Sequence, residues 1–151
     1  MDFENELIPG VLIKRYKRFF ADIKLKDKTI TAHCPNPGSM FKLLDKGNPV
    51  WITKSDNEKR KLQHTLQIIE VNKIKFCVNT HITNKVVQES LEKKTIKDLI
   101  EYDLVRPEKK FGNNTRFDFL LHNQKKDKKA FLEVKSVSLS RKEYCAEFPD
   151  A

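Results

Sequence analysis

The segment that decides the fold of the second half of this chain covers residues 116–137 and reads RFDFLLHNQKKDKKAFLEVKSV. Two apolar runs flank a polar stretch, which is the pattern of two strands joined by a hairpin loop. Residues two apart in a strand share a face, so Glu133 and Lys135 point the same way. A hairpin that closes symmetrically about Lys125–Lys126 sets Asp118 directly opposite Glu133.

Opposed carboxylates of this kind need a positive charge beside them. Their Cβ atoms are about 4.5–5.5 Å apart, and the two groups repel each other unless a cation lies nearby. The same register sets Arg116 opposite Lys135, so two diagonal salt bridges are one solution. A divalent metal held by Asp118 and Glu133 is the other, with Lys135 left to orient a water or to stabilise developing negative charge. The spacing leaves both open, and a one-residue bulge would break the register.

The composition indicates a basic globular protein. The chain has 151 residues, which suits one ordinary domain or two small ones, and its ten Phe supply material for a core. Thirty Lys and Arg against twenty-one acids give a net charge of +9. Such a surface suits a polyanion, of which nucleic acid is the commonest, although a general bias toward Lys would give the same charge.

Several classes of protein are disfavoured by the sequence. No apolar stretch approaches the roughly 20 residues that span a bilayer, and the N-terminus MDFENELIPG is acidic, unlike a signal peptide. We therefore expect a cytoplasmic protein without a membrane partner. Cys34, Cys77 and Cys145 lie far apart, which argues against a disulfide framework or a CxxC zinc site.

The first half of the chain is typical of a small barrel. Apolar and polar residues alternate in short runs, and the Pro- and Gly-rich HCPNPGSM between the second and third of these predicts an irregular loop. Five short strands within about eighty residues favour an OB-type barrel. The predicted strands are VLIKRYKRFF (11–20), ADIKLKDKTITAHC (21–34, with a hairpin tip at Asp27 and Lys28), PVWITK (49–54), LQHTLQIIEV (62–71) and KIKFCVN (73–79, after a turn at Asn72 and Lys73).

After residue 81 the pattern changes to helix and hairpin. Thr83 or Asn84 can cap a helix whose apolar side contains Val86, Val87, Ser90 and Leu91, and Thr95 with Asp98 predicts a second helix start. The sequence therefore predicts an α+β protein of two domains, 1–81 and 82–151. The chain stops at CAEFPDA, directly after its last strand and without the helix that usually covers a sheet. Either the chain is a fragment or its second domain is unusually thin, and we expect a fragment.

One predicted strand, IKRYKRFF, combines cations with rings. A continuous strand places Lys14, Tyr16, Arg18 and Phe20 on one face and Arg15, Lys17 and Phe19 on the other. Cations neutralise phosphates while rings stack on unpaired bases, so this mixture suits single-stranded or distorted nucleic acid. The alternative is an amphipathic barrel strand whose rings belong to the core. The candidate nucleic-acid contacts in this strand are Arg15, Tyr16, Lys17 and Arg18.

Two predicted loops supply further candidates. SDNEKRK presents Lys59, Arg60 and Lys61, long side chains that can reach a nucleic-acid backbone, as any solvated loop would. HCPNPGSM offers Asn36 and Ser39, whose polar groups can contact phosphate, or it is a Pro-stiffened turn.

Seven motifs taken together resemble the sugar fermentation stimulation protein (SfsA) family. They are RYKRFFAD, HCPNPGSM, SDNEKRK, VNTHITN, RFDFLL, FLEVKSV and FPDA, and their order and spread cover essentially all 151 residues. The resemblance implies an N-terminal OB-type domain followed by a domain of the PD-(D/E)XK nuclease-like fold. Members of the family are described as DNA-binding, and some are regarded as regulators of sugar (maltose) metabolism genes.

The resemblance also implies a set of site residues. Asp118 matches the first strand acid of the nuclease pattern, Glu133 and Lys135 match its E-x-K, and Glu89 matches the acid on the preceding helix. In that pattern Asp118 and Glu133 hold Mg²⁺ or Mn²⁺. The chain departs from the family at Pro37 and at the FKLL that follows the loop, and the family continues past FPDA with a basic helix and further sheet.

The expected function is that of a DNA-binding protein with a nuclease-like site. The enzyme class implied is a Mg²⁺-dependent deoxyribonuclease that hydrolyses phosphodiesters and contacts the DNA backbone without sequence specificity. The alternative is a non-catalytic DNA-binding regulator of sugar metabolism genes. A basic RNA-associated protein is a third interpretation, in which the acidic residues are coincidental.

Overall fold

The computed structural model describes residues 1–111 and 115–137, which form two compact units. One unit is built on Asp2–Thr80 and the other on Met1 and His81–Lys135. None of the helices in these ranges has the length and apolar character that a membrane crossing requires.

The first unit is a closed barrel. The sheet order is β3-β2-β1-β4-β5-β6, and a parallel pairing of β3 with β5 closes the first five strands into a ring. This is the order of an OB-type barrel, and the predicted fold is confirmed. The strands are β1 (Ile8–Tyr16), β2 (Phe20–Lys24), β3 (Thr29–His33), β4 (Pro49–Lys54), β5 (His64–Val71) and β6 (Ile74–Cys77).

Alternation along the strands fills the barrel interior. Leu12, Ile23, Ile52 and Leu66 are fully buried, each on a different strand. Cys34 joins them just after β3. Among the described cysteines, Cys34 is a buried free thiol and Cys77 an exposed one, whereas Cys145 lies outside the described residues.

Two turns of the barrel lie where the sequence predicts them. Asn72 and Lys73 have φ values of 51° and 65° between β5 and β6, as the tight hairpin predicted there requires. The loop between β2 and β3 contains Asp27 and Lys28, also as predicted.

The strand predicted over residues 11–20 is confirmed only as far as Tyr16. β1 ends at Tyr16, and Phe20 begins β2 as its direct partner. Between them Lys17 and Arg18 adopt left-handed backbone conformations, with φ values of 46° and 64°. The predicted division of Lys14, Tyr16, Arg18 and Phe20 from Arg15, Lys17 and Phe19 between two strand faces therefore fails. The three residues of this turn include no Gly, Asn or Pro, so the sequence offered no signal for it.

The second unit packs one helix with a three-stranded antiparallel sheet of order β7-β8-β9. Leu91 of the helix, Tyr102, Phe119 and Leu121 form its buried core. The elements are a 3₁₀ turn (Thr80–Ile82), α1 (Thr83–Glu92), a 3₁₀ turn (Lys97–Leu99), β7 (Leu104–Phe111), β8 (Thr115–Asn123) and β9 (Lys128–Leu132).

Two details of the helical segment differ from prediction. Ile82 occupies the N-cap position of α1 without a side-chain cap, so Thr83 and Asn84 lie within the helix and do not cap it. The second predicted helix is only the 3₁₀ turn Lys97–Leu99. Tertiary packing of Leu91 against the sheet, rather than a capping box, fixes where α1 lies.

Candidate functional site

The β8–β9 hairpin has the register that the sequence predicts. Its residue pairs run from Asn123–Lys128 at the loop to Phe119–Leu132 at the open end. β9 stops at Leu132, so the ladder ends one residue before the predicted pair of Asp118 and Glu133. The register is confirmed over this ladder, and the two acids come at its open end.

Asp118 is the most firmly held of the predicted acids. Asn84 Nδ2 donates a hydrogen bond to Asp118 Oδ1 at 2.7 Å, and the backbone N–H of Val134 donates to Oδ2 at 2.7 Å. The Val134 bond occurs where β9 has left the ladder, so the carboxylate replaces a strand partner. Each carboxylate oxygen retains a second lone pair, and the group is therefore both oriented and able to accept a further ligand.

Glu133 and Lys135 form an ion pair at the surface. Lys135 Nζ lies 2.8 Å from Glu133 Oε1, and the side chains are 52% and 46% exposed respectively. The spacing of two residues puts both on one side of the extended chain, as predicted. A charge pair this exposed contributes little stability and exchanges partners readily.

Glu89 interacts with cations of its own unit. Its carboxylate forms ion pairs with Lys93, one helical turn on, and with the N-terminal ammonium of Met1 at 2.9 Å. The hydrogen bond from Lys93 and that from the N-terminus hold the pKa of Glu89 below its ordinary value. Asn84, rather than Glu89, is the α1 residue that contacts Asp118.

The chemistry of Asp118 and Glu133 fits a hard divalent cation, although the site contains only these two carboxylates. Asp118 and Glu133 supply carboxylate oxygens, the ligands that Mg²⁺ and Mn²⁺ prefer. Within the described ranges, no three His, Cys, Asp or Glu side chains come together as a metal cluster. Mg²⁺ is usually bound by one or two protein carboxylates, with water and substrate phosphate as the other ligands. Asp118 and Glu133 therefore supply the type of ligand that such a site needs.

In the barrel, five of the six predicted basic residues lie on two loops. Lys17 and Arg18 form the exposed turn between β1 and β2. Lys59 and Lys61 are exposed in the loop between β4 and β5, while Arg60 is half-buried and donates to Thr65 Oγ1 at 3.2 Å. In OB folds these two connections, together with the face of strands 2 and 3, are where oligonucleotides bind.

Arg15 connects the turn with the loop after β3. Its Nε donates to the carbonyl of Arg18 at 2.7 Å, and its Nη2 donates to the carbonyl of Asn36 at 2.8 Å. Burial raises the pKa of the neighbouring Cys34 thiol, and the charge of Arg15 acts in the opposite direction. Arg15 therefore shapes the surface on which Lys17 and Arg18 lie.

The remaining candidates have local partners in the barrel. Tyr16 stacks on Phe20 with ring centroids 5.6 Å apart, and its hydroxyl donates to Asp22 Oδ1 at 3.3 Å. Asn36 is only 4% exposed, and its Oδ1 accepts the backbone N–H of Gly38 at 2.9 Å, whereas Ser39 is exposed. Direct contacts of these residues with nucleic acid stay predictions.

Two residues were not assigned to a site by sequence reasoning. Asn84 was read as a cap, because a polar residue at a helix start looks the same in either role. Phe19 was read as one ring of a continuous strand, whereas it is 40% exposed in the β1–β2 turn beside two cations.

Comparisons with known proteins agree with this architecture. Residues 13–79 match the family model of the SfsA N-terminal OB domain, and residues 81–151 match that of the sugar fermentation stimulation protein RE domain. The solved structure of Pyrococcus furiosus SfsA in complex with Ca²⁺ is similar, with a TM-score of 0.73 at 21% identity. The similarity covers 88% of this chain and 55% of that one, and it shows the shared fold.

Curated relatives are similar over the whole chain. The sugar fermentation stimulation protein homolog of Pelagibacter ubique is 51% identical over 151 residues, and that of Ruegeria pomeroyi is 43% identical over 153. All of this chain is aligned in both, and it spans 64% and 66% of their lengths. With both domain models matched in order and this level of identity, the chain belongs to the sugar fermentation stimulation protein family.

Proposed function

We propose that this chain binds DNA through its barrel and carries, at the open end of the β8–β9 hairpin, a divalent-metal site for phosphodiester hydrolysis. The observation that carries the catalytic part is the hairpin register, which brings Asp118 and Glu133 to the end of the same ladder. The +9 charge and the basic loops carry the DNA-binding part.

Asp118 and Glu133 have different roles in the proposed metal site. Asp118 is oriented in advance by Asn84 and Val134, so its free lone pairs are directed without loss of side-chain entropy on binding. Glu133 is the exposed partner that exchanges Lys135 for the cation. A bound divalent cation would stabilise charge on the phosphate and lower the pKa of a water.

Lys135 would act once Glu133 has exchanged it. Its ammonium would then stabilise negative charge on the phosphate or orient the attacking water. Ca²⁺, the ion named with the Pyrococcus furiosus structure, is likewise a cation that oxygen ligands bind, which supports a divalent metal in the family.

A non-catalytic DNA-binding regulator of sugar metabolism genes is the second candidate. The observation that favours it is the position of Glu89, which pairs with Lys93 and Met1 instead of joining Asp118. The names of the relatives, which refer to stimulation of sugar fermentation, agree with a regulatory role.

Metal-dependent cleavage of DNA separates the two functions. The chain should cleave single- or double-stranded DNA in Mn²⁺ or Mg²⁺, and Asp118→Asn, Glu133→Gln and Lys135→Ala should each abolish cleavage while DNA binding persists. Asp127→Asn is the matched control, because that carboxylate is 80% exposed on the loop of the same hairpin. DNA binding without turnover in either metal would support the regulator instead.

A further inference from the structure

The turn between β1 and β2 has an unusual composition for its geometry. Lys17 and Arg18 both have positive φ values, a conformation that Gly and Asn adopt at lower cost. The next residue, Phe19, is 40% exposed. Strained backbone conformations of this kind are frequent at functional sites, so the two cations and the exposed ring of Phe19 form a candidate contact surface.

The turn is also held firmly by its surroundings. The carbonyl of Arg18 accepts a hydrogen bond from Arg15 Nε, and the carbonyl of Phe19 accepts one from the backbone N–H of Cys34 at 2.8 Å. The backbone N–H of Phe19 donates to the carbonyl of Lys17 at 2.7 Å. A fixed backbone presents the ring of Phe19 in a defined position before any ligand arrives, which lowers the entropic cost of binding.

The surroundings of the ring suit a flat partner. The ring centroid of Phe19 lies 6.3 Å from that of His33, with the two planes tilted by 36°. The neighbouring Tyr16 and Phe20 stack on each other, so Phe19 is the exposed ring of this corner of the barrel. An aromatic surface beside cations suits an unpaired base whose flanking phosphates meet the charges.

We propose that Phe19 is the stacking platform for an unpaired base, with Lys17 and Arg18 neutralising the adjacent phosphates, so that the barrel prefers single-stranded to duplex DNA. This inference rests on the DNA binding proposed above and specifies its substrate. Stacking does not depend on base identity, because every base has a π face, so the preference is for an unpaired strand and not for a sequence.

The test uses a single-stranded oligonucleotide that contains 2-aminopurine, whose fluorescence is quenched by stacking, and a blunt duplex of the same sequence. The 151-residue chain should bind the single strand more tightly and quench the probe. Phe19→Leu keeps an apolar side chain but removes the ring, and it should remove the quenching and weaken single-strand binding roughly fivefold or more. Phe19→Tyr should retain both.

Two controls make the result specific. Phe131→Leu removes a ring with the same 40% exposure from the second unit and should leave the quenching unchanged. The double replacement of Lys17 and Arg18 by Ala should reduce the dependence of affinity on salt. Lys73→Ala removes a lysine of similar backbone conformation from the β5–β6 hairpin and should leave that dependence unchanged.

The possible outcomes distinguish this inference from the proposed function. Tight binding of both strands with no change in Phe19→Leu would overturn the stacking platform and leave DNA binding intact. An equal loss of duplex and single-strand binding in Phe19→Leu would also overturn it. A chain that binds neither strand would contradict the proposed function itself.

Discussion

Arg15 contributes to the barrel surface by fixing two backbone segments at once. Its guanidinium donates to the carbonyls of Arg18 and Asn36, and charged hydrogen bonds of this kind are stronger than neutral ones. The sequence predicted Arg15 as a phosphate contact because a basic residue in a basic strand suits that role. Its hydrogen bonds show that Arg15 instead holds the backbone of the surface on which Lys17 and Arg18 lie.

Replacement of Arg15 by Ala should therefore destabilise the barrel. We expect the free energy of unfolding to fall by about 2 kcal/mol, because two carbonyls lose a charged donor. Lys14→Ala is the control on the same strand; the Lys14 side chain is 62% exposed, and its ion pair with Asp22 at 3.6 Å should contribute less than about 1 kcal/mol. Urea denaturation followed by circular dichroism measures both, and equal losses would contradict the role of Arg15.

Asn84 has the corresponding role in the second unit. Its amide is the α1 group that orients the Asp118 carboxylate. We expect Asn84→Ala to weaken Mn²⁺ binding by the chain roughly tenfold, as loss of a partner behind a metal ligand usually does. Electron paramagnetic resonance of free Mn²⁺ measures the affinity without any need for turnover.

The same helix provides the control for Asn84. Gln88 carries the same amide, but it donates to Glu92 at 2.9 Å on the exposed side. Gln88→Ala should leave Mn²⁺ affinity unchanged. An Asn84→Ala chain that binds Mn²⁺ as the original does would show that Asp118 needs no such partner.

The elements of the fold were predictable where local signals and alternation agreed. PVWITK forms a strand over the six residues predicted, and the β8–β9 register follows from the polar loop between two apolar runs. The turn at residues 17–19 was missed because Lys and Arg carry no turn preference. The helix cap was misplaced because Thr83 and Asn84 have side chains that favour the N-cap, whereas Ile82 occupies that position without a side-chain hydrogen bond.

The closure of the barrel has a pH dependence that can be tested. His64 begins β5, where it pairs with Ala32 of β3 and Lys54 of β4. Burial, and then the charges of Lys28 and Lys54, lower the pKa of His64 from its ordinary 6.5. The folded chain therefore resists a proton that the unfolded chain accepts, so this stabilisation is present above pH 6.5 and is lost as the pH falls through the lower folded pKa.

We expect the unfolding free energy to decline as the pH is lowered from 7 to 5.5, and the decline to be smaller in His64→Gln. The carboxyl groups whose pKa values are lowered in the fold, such as those of Glu101 and Asp103, contribute their own loss only at more acidic pH. Urea denaturation at several pH values measures the slope. Identical slopes for both chains would exclude His64 as the source.

At the scale of the whole molecule, the chain combines a basic OB-type barrel with a second unit that has acids at one hairpin end. The net charge of the whole chain, +9, favours a polyanionic partner. The sequence could predict the class of each unit, because alternation and charge are visible in it. The sequence could not show which Lys and Arg side chains donate hydrogen bonds to loop backbone and which face solvent. That distinction depends on contacts between residues that are distant along the chain.

The proposal depends most on whether Asp118 and Glu133 share one ion. Crystals of the chain soaked in Mn²⁺, with data collected at the manganese absorption edge, test this directly. We predict one anomalous peak within about 2.0–2.6 Å of oxygens from both carboxylates, with Lys135 moved away from Glu133. Manganese absent from this pair, with Lys135 still bonded to Glu133, would contradict the metal site.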